Sequence, residues 1–155
     1  GPGFWSSGSG LLFDLVKKGT PFVTEGGTGY VAVQDVVTAM FRLMNTSIEN
    51  QRYILTNRHH SYFEIISMIS RELNAKLPKK MSSSFWLAIA WRVDWIASKL
   101  FRRKRRLTRQ LSYTLQKKSY YRADKIKQDL EGFEFTAISD SICSTSQFFL
   151  KEVCS

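Results

Sequence analysis

The sequence contains no uninterrupted apolar run long enough to cross a bilayer, and its first residues lack the basic-then-apolar layout of a signal peptide. Helical membrane spans and secretion are therefore set aside, and a soluble cytoplasmic protein, at most peripheral to a membrane, is the expectation. Cysteine is scarce as well. Cys143 and Cys154 lie close to the C-terminus without CxxC spacing, which argues against a zinc knuckle or a redox pair and leaves two free thiols. His59-His60 has no matched carboxylate or cysteine at ligand spacing, so no metal site is expected, and the pair reads as exposed at the start of a helix. An initiator Met is missing. Gly1-Pro2-Gly3-Phe4-Trp5 already reads as a loop, and something is expected to precede it.

Acidic residues are outnumbered, 13 against 23 basic, for a formal charge of +10. Such a surface attracts phosphorylated ligands, nucleic acid or anionic lipid. Much of the excess is local, in Arg102-Arg103-Lys104-Arg105-Arg106. Internal repeats and low-complexity linkers are absent. What is present suffices for a fold: 155 residues, 43% hydrophobic and 14% aromatic, suit one globular domain and lie far from the composition of disorder.

Periodicity predicts a helix over Ser9 to Lys18, with Leu11, Leu12, Leu15 and Val16 on one face and Lys17-Lys18-Gly19 as its end. Pro21-Phe22-Val23 reads as extended, and Glu25-Gly26-Gly27-Thr28-Gly29 as a turn because it is so rich in glycine. Tyr30 to Val33 reads as a strand, followed by a helix opened by Asp35 whose buried face is Val36, Val37, Met40, Phe41 and Met44. Arg52-Tyr53-Ile54-Leu55 reads as a second strand. Ser61-Tyr62-Phe63-Glu64 has the spacing of a capping box, with Tyr62, Ile65, Ile66, Ile69 and Leu73 at helical spacing behind it. Phe85 to Phe101 carries two apolar stripes, one through Phe85, Ile89, Val93, Ile96 and Leu100, the other through Leu87, Trp91 and Trp95. Such a helix needs cover on both sides. Short helices are expected from Thr108 to Leu115 and from Arg122 to Leu130, and a closing helix through Ile138, Ile142, Phe149 and Val153.

The order of several segments resembles the second half of extended short-chain dehydrogenases/reductases, the NAD-dependent epimerase/dehydratase family. These are Gly1-Pro2-Gly3, a helix, Gly29-Tyr30-Val31-Ala32-Val33-Gln34-Asp35-Val36-Val37, then Arg52-Tyr53-Ile54-Leu55. Leu107-Thr108, Tyr121, Lys125-Ile126, Leu130 and Gly132-Phe133 extend the resemblance through the tail. Gly3-Phe4-Trp5 and Pro21 to Gly26 resemble the branch of dihydroflavonol reductases and hydroxysteroid dehydrogenases. The resemblance implies an α/β fold, namely the mostly helical C-terminal lobe of an extended Rossmann-type dehydrogenase, with a few short strands and without the Rossmann nucleotide-binding core. It implies that Gly1 and Pro2 border the cofactor and that Gly3, Phe4, Trp5 and Tyr30 line the substrate pocket, with Trp91 and Trp95 as secondary contacts. The parent protein would use NAD or NADP on a small-molecule carbonyl or secondary alcohol. The family's glycine-rich turn, catalytic Ser or Thr and Tyr-x-x-x-Lys helix all lie upstream of the Gly-Pro loop, so the chain alone would hold no cofactor and no catalytic residue.

Two Tyr-x-x-x-Lys matches, Tyr113 to Lys117 and Tyr121 to Lys125, would each share a helix face. They read as coincidence, because a proton-transferring Tyr needs a nucleotide beside it. Gly26 to Gly29 is not a dinucleotide loop, since it does not link a strand to a helix. Two partner expectations follow. Apolar faces left by a missing nucleotide-binding half would promote self-association, and Trp86, Trp91, Trp95 with the Arg102 to Arg106 run could instead make a peripheral module for an anionic membrane or partner. Nucleic acid is not favoured, as no RNP-like strand accompanies the charge.

Overall fold

The computed structural model describes residues 2–5, 8–19, 22–78, 80–82, 89, 92, 93, 95, 96 and 109–153. The fold is mixed α/β and mostly helical. Helix α1 (Gly10–Lys17) buries Phe13 and Val16, and the chain turns away at Gly19, whose φ of +80° is costly for any residue with a Cβ. Strand β1 (Phe22–Thr24) follows, then β2 (Gly27–Tyr30), α2 (Val33–Met44), β3 (Arg58–Ser61), α3 (Tyr62–Glu72) and β4 (Lys80–Ser82). Helices α4 (Arg109–Thr114), α5 (Asp124–Asp129) and α6 (Ile138–Val153) complete the described elements. β1 pairs with β4 in parallel, and β2 with β3 antiparallel, Gly27 opposite Ser61 and Tyr30 opposite Arg58.

The glycine run is strand rather than turn. β2 begins at Gly27 and ends at Tyr30, so Val31 and Ala32 are irregular and Val33 already starts α2. The reason is tertiary crowding. A Cβ on Gly26 would sit 2.2 Å from the Leu115 carbonyl oxygen, one on Gly27 2.7 Å from that of His60, and one on Gly29 2.3 Å from Thr56 Oγ1. Glycine is required here by close approach of neighbouring chain segments. The segment 117–119 lies against the same edge: the Gly27 amide donates to the Lys117 carbonyl (3.2 Å) and the Ser119 amide to the Gly27 carbonyl (3.0 Å).

The capping box forms as expected. The Glu64 amide donates to Ser61 Oγ (3.2 Å) and the Ser61 amide to Glu64 Oε2 (3.0 Å), so two amides that the first turn of α3 leaves unpaired find partners. Ile65, Ile66 and Ile69 then face Ile138, Ile142 and Phe149 of α6 and Phe13 and Val16 of α1 in one apolar cluster. Each fully buried member contributes roughly 1.5–3 kcal/mol by burial. A second cluster joins Ala39 of α2, Ile126 of α5, Leu130 and Phe133, with Tyr53, Leu55 and Phe135 packed against it. Gly132, with φ of +67°, lets the chain reverse after α5.

Two expectations around α2 are corrected. The side of this helix that meets the fold is Asp35 and Ala39, whereas Val37, Met40, Phe41 and Met44 are exposed and Val36 is half-buried. Asp35 is held inside because it accepts hydrogen bonds from the Thr136 amide (2.9 Å) and hydroxyl (2.6 Å). Such paired burial satisfies the carboxylate. Arg52 to Leu55 forms no strand: it finds no ladder partner among the described residues. The strand of this region is instead Arg58–Ser61, which carries the two histidines. The two-striped segment from Phe85 to Phe101 lies mostly outside the described residues. Of it, residues 89, 92, 93, 95 and 96 are helical, and Ile89, Val93, Trp95 and Ile96 are exposed.

Candidate functional site

The N-terminal loop is placed by its glycines and by one aromatic ring. Gly3 has φ of +105°, and Gly10 is bare because the Phe4 carbonyl oxygen would lie 1.9 Å from any Cβ there. Trp5 packs edge-on against Phe149 (centroids 4.9 Å) and Phe13 (5.8 Å) and donates its indole N–H to Glu152 Oε2 at 2.7 Å. This anchors the loop to the first apolar cluster and leaves Gly3 and Phe4 exposed, Phe4 at 75%. Pro2 is half-buried, while Gly1 and Trp91 lie outside the described residues. Trp95 lies on the helical stretch after residue 91 and makes a contact of its own there.

Tyr30, at the end of β2, borders a cavity of about 80 Å³ together with Ser9, Leu12, Ile65, Ile138 and Thr145. Its ring lies 6.4 Å from that of His60. Burial, and secondarily the neighbouring Tyr62, push its hydroxyl up to about 12, so at neutral pH it is a protonated hydrogen-bonding group. The loop of Gly3 and Phe4 reaches the same end of α1, through Gly10, that supplies Ser9 to this cavity. Tyr30 and the N-terminal loop thus stand at one end of the fold, around α1.

A second cavity, of about 190 Å³, was not foreseen. His59, His60, Glu64, Lys118, Ser119 and Tyr120 are among its lining residues. The histidine pair is half-buried, contrary to its reading as exposed. The Tyr121 amide donates to His59 Nε2 at 2.6 Å, which puts the imidazole proton on Nδ1 when His59 is neutral, and the His59 ring lies near those of Tyr120 and Tyr121. His60 Nδ1 lies 3.2 Å from Glu64 Oε2. The Ser61 amide, foremost, and then His60 hold the Glu64 carboxyl below its usual range. The four-residue spacing from His60 to Glu64 was a readable sign of this pair, but the partnership of His59 with Tyr121 crosses 62 residues and has no local mark.

The Tyr-x-x-x-Lys matches do not occupy single helices. Tyr113 is in α4 but Lys117 follows its end, and Tyr121 precedes α5, which contains Lys125. Tyr53, by contrast, donates to Asp129 Oδ2 at 2.6 Å, and that hydrogen bond, with burial behind it, pushes its hydroxyl up to about 12. Among the described residues no three His, Cys, Asp or Glu side chains are grouped to hold a metal ion. Cys143 is a free thiol, and Cys154 lies outside the described residues. No helix among the described residues is long and apolar enough to cross a membrane. The basic run of residues 102–106 falls outside them.

A dinucleotide cradle needs free backbone amides at a strand-to-helix turn. The glycine run does not fit that need. Gly27 N–H is spent on Lys117, and the space beside Gly26, Gly27 and Gly29 is filled by other chain segments. Among the described residues nothing else presents such a turn after a strand with a glycine-rich sequence.

No protein-family model and no curated protein sequence matches the chain. Solved structures do match its fold. The crystal structure of gox2253 superposes with a TM-score of 0.70 at 21% identity, over 92% of this chain and 43% of that one. The dTDP-4-dehydrorhamnose reductase (rfbD) from Bacillus anthracis str. Ames, in complex with NADP, matches with a TM-score of 0.55 at 15% identity, over 95% of this chain and 44% of that one. The fold is therefore that of part of a Rossmann-type reductase, and the chain spans less than half the length of these structures.

Proposed function

We propose that this chain is the substrate-binding lobe of a nicotinamide-dependent reductase or epimerase that acts on a carbonyl or secondary alcohol. In this reading the nucleotide is held by a separate lobe, and the chain alone turns over nothing. The observation that carries the reading is the fold likeness, which extends over nine-tenths of the chain and includes a reductase bound to NADP. The glycine run, closed to a pyrophosphate by its own neighbours, supports the assignment of the cofactor elsewhere. The ordered sequence resemblance, from Gly1-Pro2-Gly3 through Gly132-Phe133, favours the extended short-chain dehydrogenase/reductase family and its dihydroflavonol reductase-like branch.

Within the lobe, Gly3, Phe4 and Tyr30 form the substrate wall, Trp5 holds the loop that presents Phe4, and Gly1 and Pro2 border the cofactor. Trp91 and Trp95 are secondary contacts suited to a bulky apolar substrate. Tyr30 hydrogen-bonds substrate through its neutral hydroxyl. The test is kinetic. In the full product of the encoding reading frame, NADPH oxidation is followed with a panel of ketones and aldehydes. Phe4→Ala raises KM for the carbonyl compound about tenfold, the loss of roughly 1.4 kcal/mol of uniform binding, and leaves KM for NADPH in place. Tight NADPH binding by the 155-residue chain alone would overturn the reading.

A further inference from the structure

Helix α2 faces the wrong way for a self-sufficient fold. Val33, Val37, Met40, Phe41 and Met44 recur at helical spacing and are 49, 59, 58, 68 and 82% exposed, while Asp35 and Ala39 on the other side are buried. A continuous stripe of this kind on a soluble helix marks a surface that something covers. Beside it runs the segment 52–55. Its side chains alternate as those of a strand do, Tyr53 and Leu55 half-buried against the second apolar cluster, Arg52 and Ile54 exposed. Yet no backbone hydrogen bond joins residues 51–56 to another described backbone group. The segment has β-type residues, β-type alternation and open amides on its edge, which is what a strand lacking its sheet presents. Ala39 and Leu43 of α2 share that cluster with Tyr53 and Leu55, so stripe and segment form one continuous face.

We infer that this face docks the β-sheet of a second lobe of the same polypeptide, with residues 52–55 joining the sheet as an added strand and the α2 stripe lying across the sheet. The inference rests on the functional reading above. Its occupant is argued from length, because more than half of each matching structure lies outside the stretch that this chain covers. A second copy fits less well, since helix-to-helix burial of the stripe would leave the amides of 52–55 unpaired.

The experiment is hydrogen exchange by mass spectrometry on the 155-residue chain and on the full product of its reading frame. Amides of 53–55 are expected to exchange freely in the first and about 100-fold more slowly in the second. Ile54→Pro, at an exposed side chain, should abolish that protection while α3 and α6 keep theirs, which shows the lobe still folded. Phe41→Asp should weaken it. Equal exchange of 53–55 in the two proteins would overturn the docking, as would a reading frame that adds no second lobe. So would a dimer of the 155-residue chain that protects 53–55 and dissociates with Phe41→Asp. NADPH turnover without protection of 53–55 sinks the docking and leaves the functional reading standing; protection without NADPH binding does the reverse.

Discussion

Trp5 donates its indole N–H to Glu152 Oε2 at 2.7 Å, which ties the first residues of the chain to the last helix across 147 positions. The bond is exposed, so most of the restraint comes from the rings beneath it, Phe149 and Phe13. Trp5→Ala should lower stability by about 2–3 kcal/mol through lost packing, and Glu152→Ala by less than about 0.5 kcal/mol. Urea unfolding checks this, and equal losses from the two variants would show that the hydrogen bond rather than the aromatic contact holds the loop.

Asp35 should be a structural carboxylate. Asp35→Ala strips the Thr136 amide and hydroxyl of their acceptor in a half-buried setting and should cost about 1–3 kcal/mol. Asp35→Asn keeps one acceptor and should cost less. Thermal melts that rank the two variants in the opposite order would contradict this account.

Gly26 tolerates no side chain. The Leu115 carbonyl, a backbone atom that cannot rotate aside, would lie 2.2 Å from the new Cβ in Gly26→Ala. The expected loss is roughly 1–3 kcal/mol, with faster amide exchange at 117–119, the segment laid along the same edge. An unchanged melting temperature would mean that the 115–118 segment moves away freely.

Tyr30 supplies a test at high pH. Its folded-state pKa, about 12, lies above the ordinary 10.0, so the protonated hydroxyl is favoured in the fold. The contribution is fully present below pH 10 and is lost as pH rises through about 12. Unfolding free energy of the parent chain should therefore fall relative to Tyr30→Phe across that interval. Parallel curves for the two proteins would refute a buried, protonated Tyr30.

The α3 cap gives the opposite sign. Glu64 is held below the usual carboxylate value of 4.5, foremost by the Ser61 amide, so its contribution is present above that value and disappears as pH falls below it. Ser61→Ala should cost about 1 kcal/mol at neutral pH. Glu64→Gln should flatten the acid limb of the stability profile, and an acid limb as steep as the parent's would exclude Glu64 as its source.

Features set by near neighbours in sequence were readable. The capping box at Ser61 and Glu64, the α6 face of Ile138, Ile142 and Phe149, and the stop near Gly132 each follow from contacts within a few residues or from one helical period. The misreadings share another cause. Gly27 and Gly29 looked like turn formers because composition alone cannot say that a carbonyl or a hydroxyl crowds them from across the fold. Val37, Met40 and Phe41 were read as core because periodicity gives the angle of an apolar stripe but not which side meets this chain. Of the candidate site, Tyr30 could be picked out as an aromatic at a strand end, yet the anchoring of Trp5 by Glu152 and of His59 by Tyr121 depends on partners far along the chain.

The two apolar clusters have no residue in common: one is built on α1, α3 and α6, the other on α2, α5 and the turn at Phe133. A molecule so divided has two thresholds of cooperative loss. The smaller assembly, with Ala39, Ile126, Leu130 and Phe133 at its centre, can fray while the larger stays intact. Whatever grips α2 raises the lower threshold alone, so binding at that end would be felt as rigidity there before it changed the melting of the helical bundle opposite.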